Sequence, residues 1–124
     1  MRIYKPDGWV CLKITSNTLS PIYRIFGSWG GGFTSSDSWR LSSGFSGKER
    51  IDIEGGFLTI PQMSGSIYRV NIAMQNVLTC YNRTALEELI RRAEEEKDSL
   101  QIMEIDLIEL ECQTLSALKE QLKE

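Results

Sequence analysis

Glycine and proline are confined to the first 65 residues of this chain. All ten glycines and all three prolines stand at or before Gly65, while Leu, Glu and Lys dominate from Thr84 onward. Both residue types bend or end regular structure, and a helix interior tolerates neither well. The chain therefore divides near residue 82, with residues 1–82 turning often and residues 83–124 free to run as helix. At 124 residues there is room for one domain and not for two ordinary ones.

Between its turn residues the first part alternates. Over residues 9–15, Val10, Leu12 and Ile14 take one face of a strand and Trp9, Cys11 and Lys13 the other. Further strands are expected at 22–28, 38–43, 49–53, 57–60 and 66–72, with Trp39 and Leu41 on a common face of the third strand. Turn chemistry at 17–21, Gly30-Gly31-Gly32, Gly55-Gly56 and Ser64-Gly65 joins them into a twisted meander or small sandwich.

After residue 83 the period changes. Thr84-Ala-Leu-Glu87 fits a capping box. Leu86, Leu89, Ala93, Glu96, Leu100, Met103, Leu107 and Leu110 then hold a heptad-like seam, and Ile108, Leu115 and Leu122 continue it on a rotated stripe. One helix of about 40 residues fits this pattern, at 1.5 Å per residue. Two helices with a corner at Asp98-Ser99 fit it as well. The expected fold class is α+β, an antiparallel β region over 1–82 followed by a helical region over 83–124. The apolar surface at 100–112 exceeds what the β region alone covers, so that helical region is expected to mediate a homodimer or larger homo-oligomer.

Composition excludes several chemistries. The chain has no histidine, which removes the commonest general base and metal ligand and every Ser–His or Cys–His nucleophile pair. Cys11, Cys80 and Cys112 are far apart and form no C-x-x-C pair, so neither a zinc site nor a disulfide framework is expected. Asp37, Asp52 and Glu54 are scattered, and no metal-binding loop appears. The reading is a non-enzyme with no cofactor and no metal. A net charge of −3 argues against DNA or RNA polymers as partners. No apolar run is long enough to span a membrane, and no signal-peptide core opens the chain, so the cytosol is the expected compartment.

The residues that can recognise a ligand cluster around the glycine turns. Trp29 and Trp39 bracket the three glycines; Gly31 permits close backbone approach, Phe33 adds a ring, and Arg40 and Ser43 follow. Flat aromatic faces suit a purine, and arginine forks suit phosphates. Tyr68 and Arg69 repeat the pattern after Ser64-Gly65-Ser66. Asn82, at the β-to-helix junction, lies where a helix start attracts anions, and Arg91 and Arg92 follow in the first turns. The alternative is a plain bulged hairpin with its aromatics in the core, and an Arg91-Arg92 pair that only neutralises nearby glutamates. The P-loop pattern is absent.

The segments WVCLKI from Trp9, GSWGGGFTSSDSWRLSSGF from Gly27 and SGSIYR from Ser64 together resemble the first family of phage anti-Thoeris proteins. The match covers roughly the first 75 residues, and Trp39-Arg40-Leu41 with Ser43-Gly44 is its most distinctive part. The resemblance implies a β-rich half with C-terminal helices that build a dimer, sometimes assembled further. It also implies sequestration, without cleavage, of cyclic ADP-ribose isomers made by bacterial TIR enzymes. Some family members also take up cyclic di- or trinucleotides from nucleotidyltransferase defence systems, at separate sites. Arg91 and Arg92 join the candidate set by charge and position and not by a motif. Two other readings stand beside this one: a non-catalytic phage assembly or interaction module using its helical tail, and a nucleotide-cleaving enzyme without identifiable catalytic groups.

Overall fold

The computed structural model describes residues 2–18, 20–31, 36–97 and 99–110. Its centre is the antiparallel pair β2 (Gly8–Thr15) and β3 (Ile22–Trp29), registered from Gly8 opposite Ser28 to Ile14 opposite Ile22. β4 (Ser38–Leu41) flanks β3. A second sheet is built from β1 (Ile3–Tyr4), β5 (Asp52–Glu54), β6 (Phe57–Pro61) and β7 (Ile67–Asn71), in the order β1-β7-β6-β5, with β1 parallel to β7. A short 3-10 turn (Ile72–Met74), the helix α1 (Cys80–Glu96) and a further strand, β8 (Gln101–Ile105), follow. β8 pairs with β2, giving the first sheet the order β4-β3-β2-β8. The fold is mixed α+β, mostly β, and its parts pack as three layers.

The alternation read along β2 explains the layering. Trp9 and Cys11 meet Ile25, Phe45, Leu58, Ile60, Tyr68, Val70 and Leu107 between the two sheets. Val10 and Leu12 turn the other way and pack with Phe26 against Leu86 of α1. Both faces of β2 are thus covered, and its first five residues are all buried. Each large apolar side chain so removed from water contributes about 1.5–3 kcal/mol. Gly8 is required at the start of β2, since a Cβ there would lie 1.8 Å from the Val77 carbonyl oxygen. Gly55 and Gly56, with φ of 59° and 81°, form the two-residue turn between β5 and β6.

The helical region departs from expectation in two places. Thr79, not Thr84, caps α1: its Oγ1 accepts from the Asn82 amide at 3.1 Å. Thr84 lies inside the helix, donating to the Cys80 carbonyl at 3.1 Å. The second departure is larger. The seam stops at Glu96, and Met103 falls on β8 instead of a helix. Ile102 faces α1 and Ile105 faces the intersheet core, so a period of two serves both. The free backbone edge of β2 gains a partner over five residue pairs, and that tertiary gain overrides the helical spacing. Residues 107–110 then begin a helical turn, with the Asp106 carboxylate accepting from the Glu109 amide at 2.9 Å. Cys112, Leu115 and Leu122 lie outside the described residues.

Candidate functional site

Trp39 sits on edge strand β4 directly opposite Ser28. Because Ser28 is small, the indole leans over its diagonal neighbour Phe26, with ring centroids 5.2 Å apart and planes 17° from parallel. The ring stays 39% exposed. It forms one wall of a groove of about 460 Å³, and α1 supplies the other. Ala85, Leu89 and Ala93 repeat every four residues as an apolar stripe on that wall, and Glu88, Arg92 and Glu96 form a charged stripe beside it. Arg92 donates to the Glu88 carboxylate at 2.8 Å. The same carboxylate receives Arg91, and these two arginines hold the Glu88 pKa below the ordinary carboxylate range. The groove volume falls within the size class of small-molecule pockets.

Asn82 joins helix to sheet beside this groove. It is fully buried, and its Nδ2 donates to Ser28 Oγ at 2.7 Å and to the Ser38 carbonyl at 2.9 Å. These bonds tie the first turn of α1 to β3 and β4. Its Oδ1 is buried without a hydrogen-bond partner. The anion-binding role expected of Asn82 does not fit this geometry, because the side chain is enclosed between helix and sheet. Next to it, Arg83 pairs with Glu104 of β8 at 2.8 Å.

Arg40 points to the opposite side of the sheet from Trp39. It pairs with Gly27 across β3, and its guanidinium stacks 4.6 Å from the centroid of Tyr4 on β1. Tyr4 in turn stacks on Tyr68, at 5.0 Å and 28°. Burial raises the Tyr68 pKa, against the nearby charge of Arg40. Trp29 lies on the Arg40 side, folded over Gly27, and its indole N–H donates to the Lys5 carbonyl at 3.1 Å. Ser43 is exposed and donates to Ser64 Oγ at 2.9 Å. The candidate ligand residues are therefore divided by the sheet itself, with Trp39 and Arg92 on one side and Trp29, Arg40 and Tyr68 on the other.

The remaining candidates are placed apart from both groups. The Gly31 amide donates to Asp37 Oδ1 at 3.0 Å and the Gly30 amide to Asp7 Oδ2 at 2.9 Å, so these two amides are engaged by the chain's own carboxylates. Arg69 stacks 4.6 Å from the Phe57 ring centroid. Arg91 bridges Glu88 and Glu95 at 2.6 and 2.7 Å, which is the neutralising role of the alternative reading. Phe33 lies outside the described residues. Among the described residues no group of three His, Cys, Asp or Glu is placed to hold a metal ion.

Sequence reasoning missed Arg2, Tyr4, Ala85 and the groove role of Leu89 and Ala93. The i, i+4 spacing of Ala85, Leu89 and Ala93 was the available signal, but it reads equally as a self-association seam. No family model matches the chain, and neither curated proteins nor solved structures give a match.

Proposed function

We propose that this chain is a non-catalytic binding protein that holds a small, flat, adenine-bearing nucleotide in the groove between Trp39 and α1 and releases it unchanged. In the reading suggested by the resemblance it is a phage sponge for cyclic ADP-ribose isomers, acting in the host cytosol, with cyclic di- or trinucleotides as further ligands. One observation carries the proposal: an indole braced by Phe26 forms a wall of an open 460 Å³ groove. A braced ring loses little freedom when a base stacks on it, and such stacking is worth about 1–3 kcal/mol. Arg92 at the rim is 71% exposed and can turn from Glu88 toward a phosphate. Glu88 and Glu96 oppose a dianion there, so this reading places the base in the groove and the phosphates beyond its rim. A homodimer or larger assembly belongs to the same proposal. Met103 on edge strand β8, 56% exposed, is apolar surface for such an assembly to cover.

Thermal unfolding tests the groove. Ligand at 100 times its dissociation constant should stabilise the protein by about 2.7 kcal/mol. Trp39→Ala should keep the fold, since the ring is on an edge strand and partly exposed, and should lose the shift. A panel of cyclic nucleotides that leaves the wild-type transition unmoved would sink the proposal. It would favour the interaction-module reading, which the apolar stripe Ala85, Leu89 and Ala93 supports as a seat for a partner helix.

A further inference from the structure

Edge strands β1 and β4 belong to different sheets, yet they meet where Arg40 stacks on Tyr4. Arg2 joins them: its guanidinium lies 5.7 Å from the Tyr4 ring centroid, and its Nη1 is 3.4 Å from the Tyr4 hydroxyl. Two guanidinium groups thus converge on one ring. Neither has a carboxylate within ion-pair distance among the described residues, although Arg50, Arg83, Arg91 and Arg92 all do. In a chain with 17 acidic and 14 basic residues, these two exposed guanidinium groups stand without a carboxylate partner among the described residues, so one multiply charged anion can engage both.

The surroundings supply further donors. The backbone amide of Ile67 donates to the Arg2 carbonyl at 2.9 Å, which brings Ser66 beside Arg2. Ser66 Oγ lies 2.9 Å from Ser64 Oγ, which accepts from Ser43 at the same distance. Beneath the platform the Tyr68 hydroxyl is buried beside the Arg40 guanidinium, whose charge and N–H donation offset part of the rise that burial imposes on its pKa. Arg24, held by the Ser42 carbonyl at 2.7 Å, adds a half-buried positive charge that also acts on Tyr68. Arg2 spends one N–H on the Tyr4 hydroxyl and Arg40 one toward Tyr68, and each five-donor guanidinium keeps further N–H groups for an anion.

We propose that the Arg2–Tyr4–Arg40 platform is a site for a phosphate-type oxyanion, a phosphate monoester or pyrophosphate group, with hydroxyl donors from Ser64 and Ser66 at its margin. It lies across the sheet from the Trp39 groove and does not depend on that groove being occupied. Two forks match an anion that carries several charged oxygens, and a neutral ligand would leave them unanswered.

The test is a titration of the full chain with inorganic phosphate and inorganic pyrophosphate at constant ionic strength, followed by arginine Nε–Hε NMR. Saturating shifts of the Arg2 and Arg40 signals are expected, and Arg40→Gln should weaken binding by about tenfold or more. Arg69→Gln removes an equally unpaired arginine from Phe57 and should leave binding unchanged. Dispersed amide spectra verify folding, and Arg2→Gln replaces Arg40→Gln should the latter not fold. Non-saturating shifts would overturn the proposal, as would equal losses in Arg40→Gln and Arg69→Gln. Either failure leaves the groove reading to its own test.

Discussion

Replacing Asn82 by alanine should loosen the joint between helix and sheet on which the groove depends. The magnitude follows from its bonds. Two hydrogen bonds are lost, from Nδ2 to Ser28 and to Ser38, at about 1 kcal/mol each. The Ser28 hydroxyl, in a residue only 2% exposed, is left without this partner, which costs roughly 1–3 kcal/mol more. Against this, the mutation removes the unpaired Oδ1 and returns a penalty of comparable size. The net is a destabilisation of about 2 kcal/mol, or roughly 6–10 °C in Tm for a domain of this size. Urea unfolding should show a lower midpoint with an unchanged slope. Asn82→Asp sharpens the test. It places a carboxylate against the Ser38 carbonyl and should cost about 4 kcal/mol or more at neutral pH, with partial recovery as acid protonates the raised-pKa group. A midpoint for Asn82→Ala within about 0.5 kcal/mol of wild type would refute the reasoning, since that is the range of an inconsequential surface change.

Gly8→Ala forces a methyl into the Val77 carbonyl and should destabilise by about 1–3 kcal/mol, measurable in the same urea assay; a neutral result would contradict the close approach at the start of β2. Stability should fall as pH drops from about 5 to 3. Asp106 is held below its ordinary pKa by Gln75 and the Glu109 amide, and Glu88 by Arg91 and Arg92. For Glu49, donors from Ser46 and Gly47 outweigh burial and lower its pKa too. These folded pKa values lie below the unfolded ones, so their contribution is present above the unfolded pKa and lost as pH falls through the folded one; pH-dependent unfolding midpoints that stay flat would contradict it. Cys80 is exposed, whereas burial pushes the Cys11 thiol up to about 12. Peptide mapping after brief alkylation at pH 8 should find Cys80 modified and Cys11 protected until the protein is unfolded; equal rates would refute the buried placement.

Most strands of residues 9–72 were legible because strict alternation and glycine turns are local signals, although the strand expected at 49–53 forms over Asp52–Glu54 and the one expected at 38–43 ends at Leu41. β2 shows this best, since each of its two apolar rows found its own partner layer. β8 was not legible. Leu100, Met103, Leu107 and Leu110 keep helical spacing, and only the open edge of β2, far away in sequence, turns residues 101–105 into a strand. Thr84 fitted a capping box better than Thr79, but the helix gains a turn when Thr79 caps it and Asn82 reaches Ser28. At the site, alternation already placed Trp39 and Arg40 on opposite faces. That the faces open on different surroundings, a helix for one and β1 for the other, depends on tertiary packing. Tyr4 and Arg2 gave no signal because β1 is only two residues long.

The central claim is retention without turnover by the Trp39 groove. Its most direct test is to incubate the protein with cyclic ADP-ribose isomers, remove free ligand, release what is bound by heat and weigh it by mass spectrometry. The account predicts an intact nucleotide from wild type and none from folded Trp39→Ala. Recovery of a hydrolysed product, or equal recovery from both proteins, would contradict it.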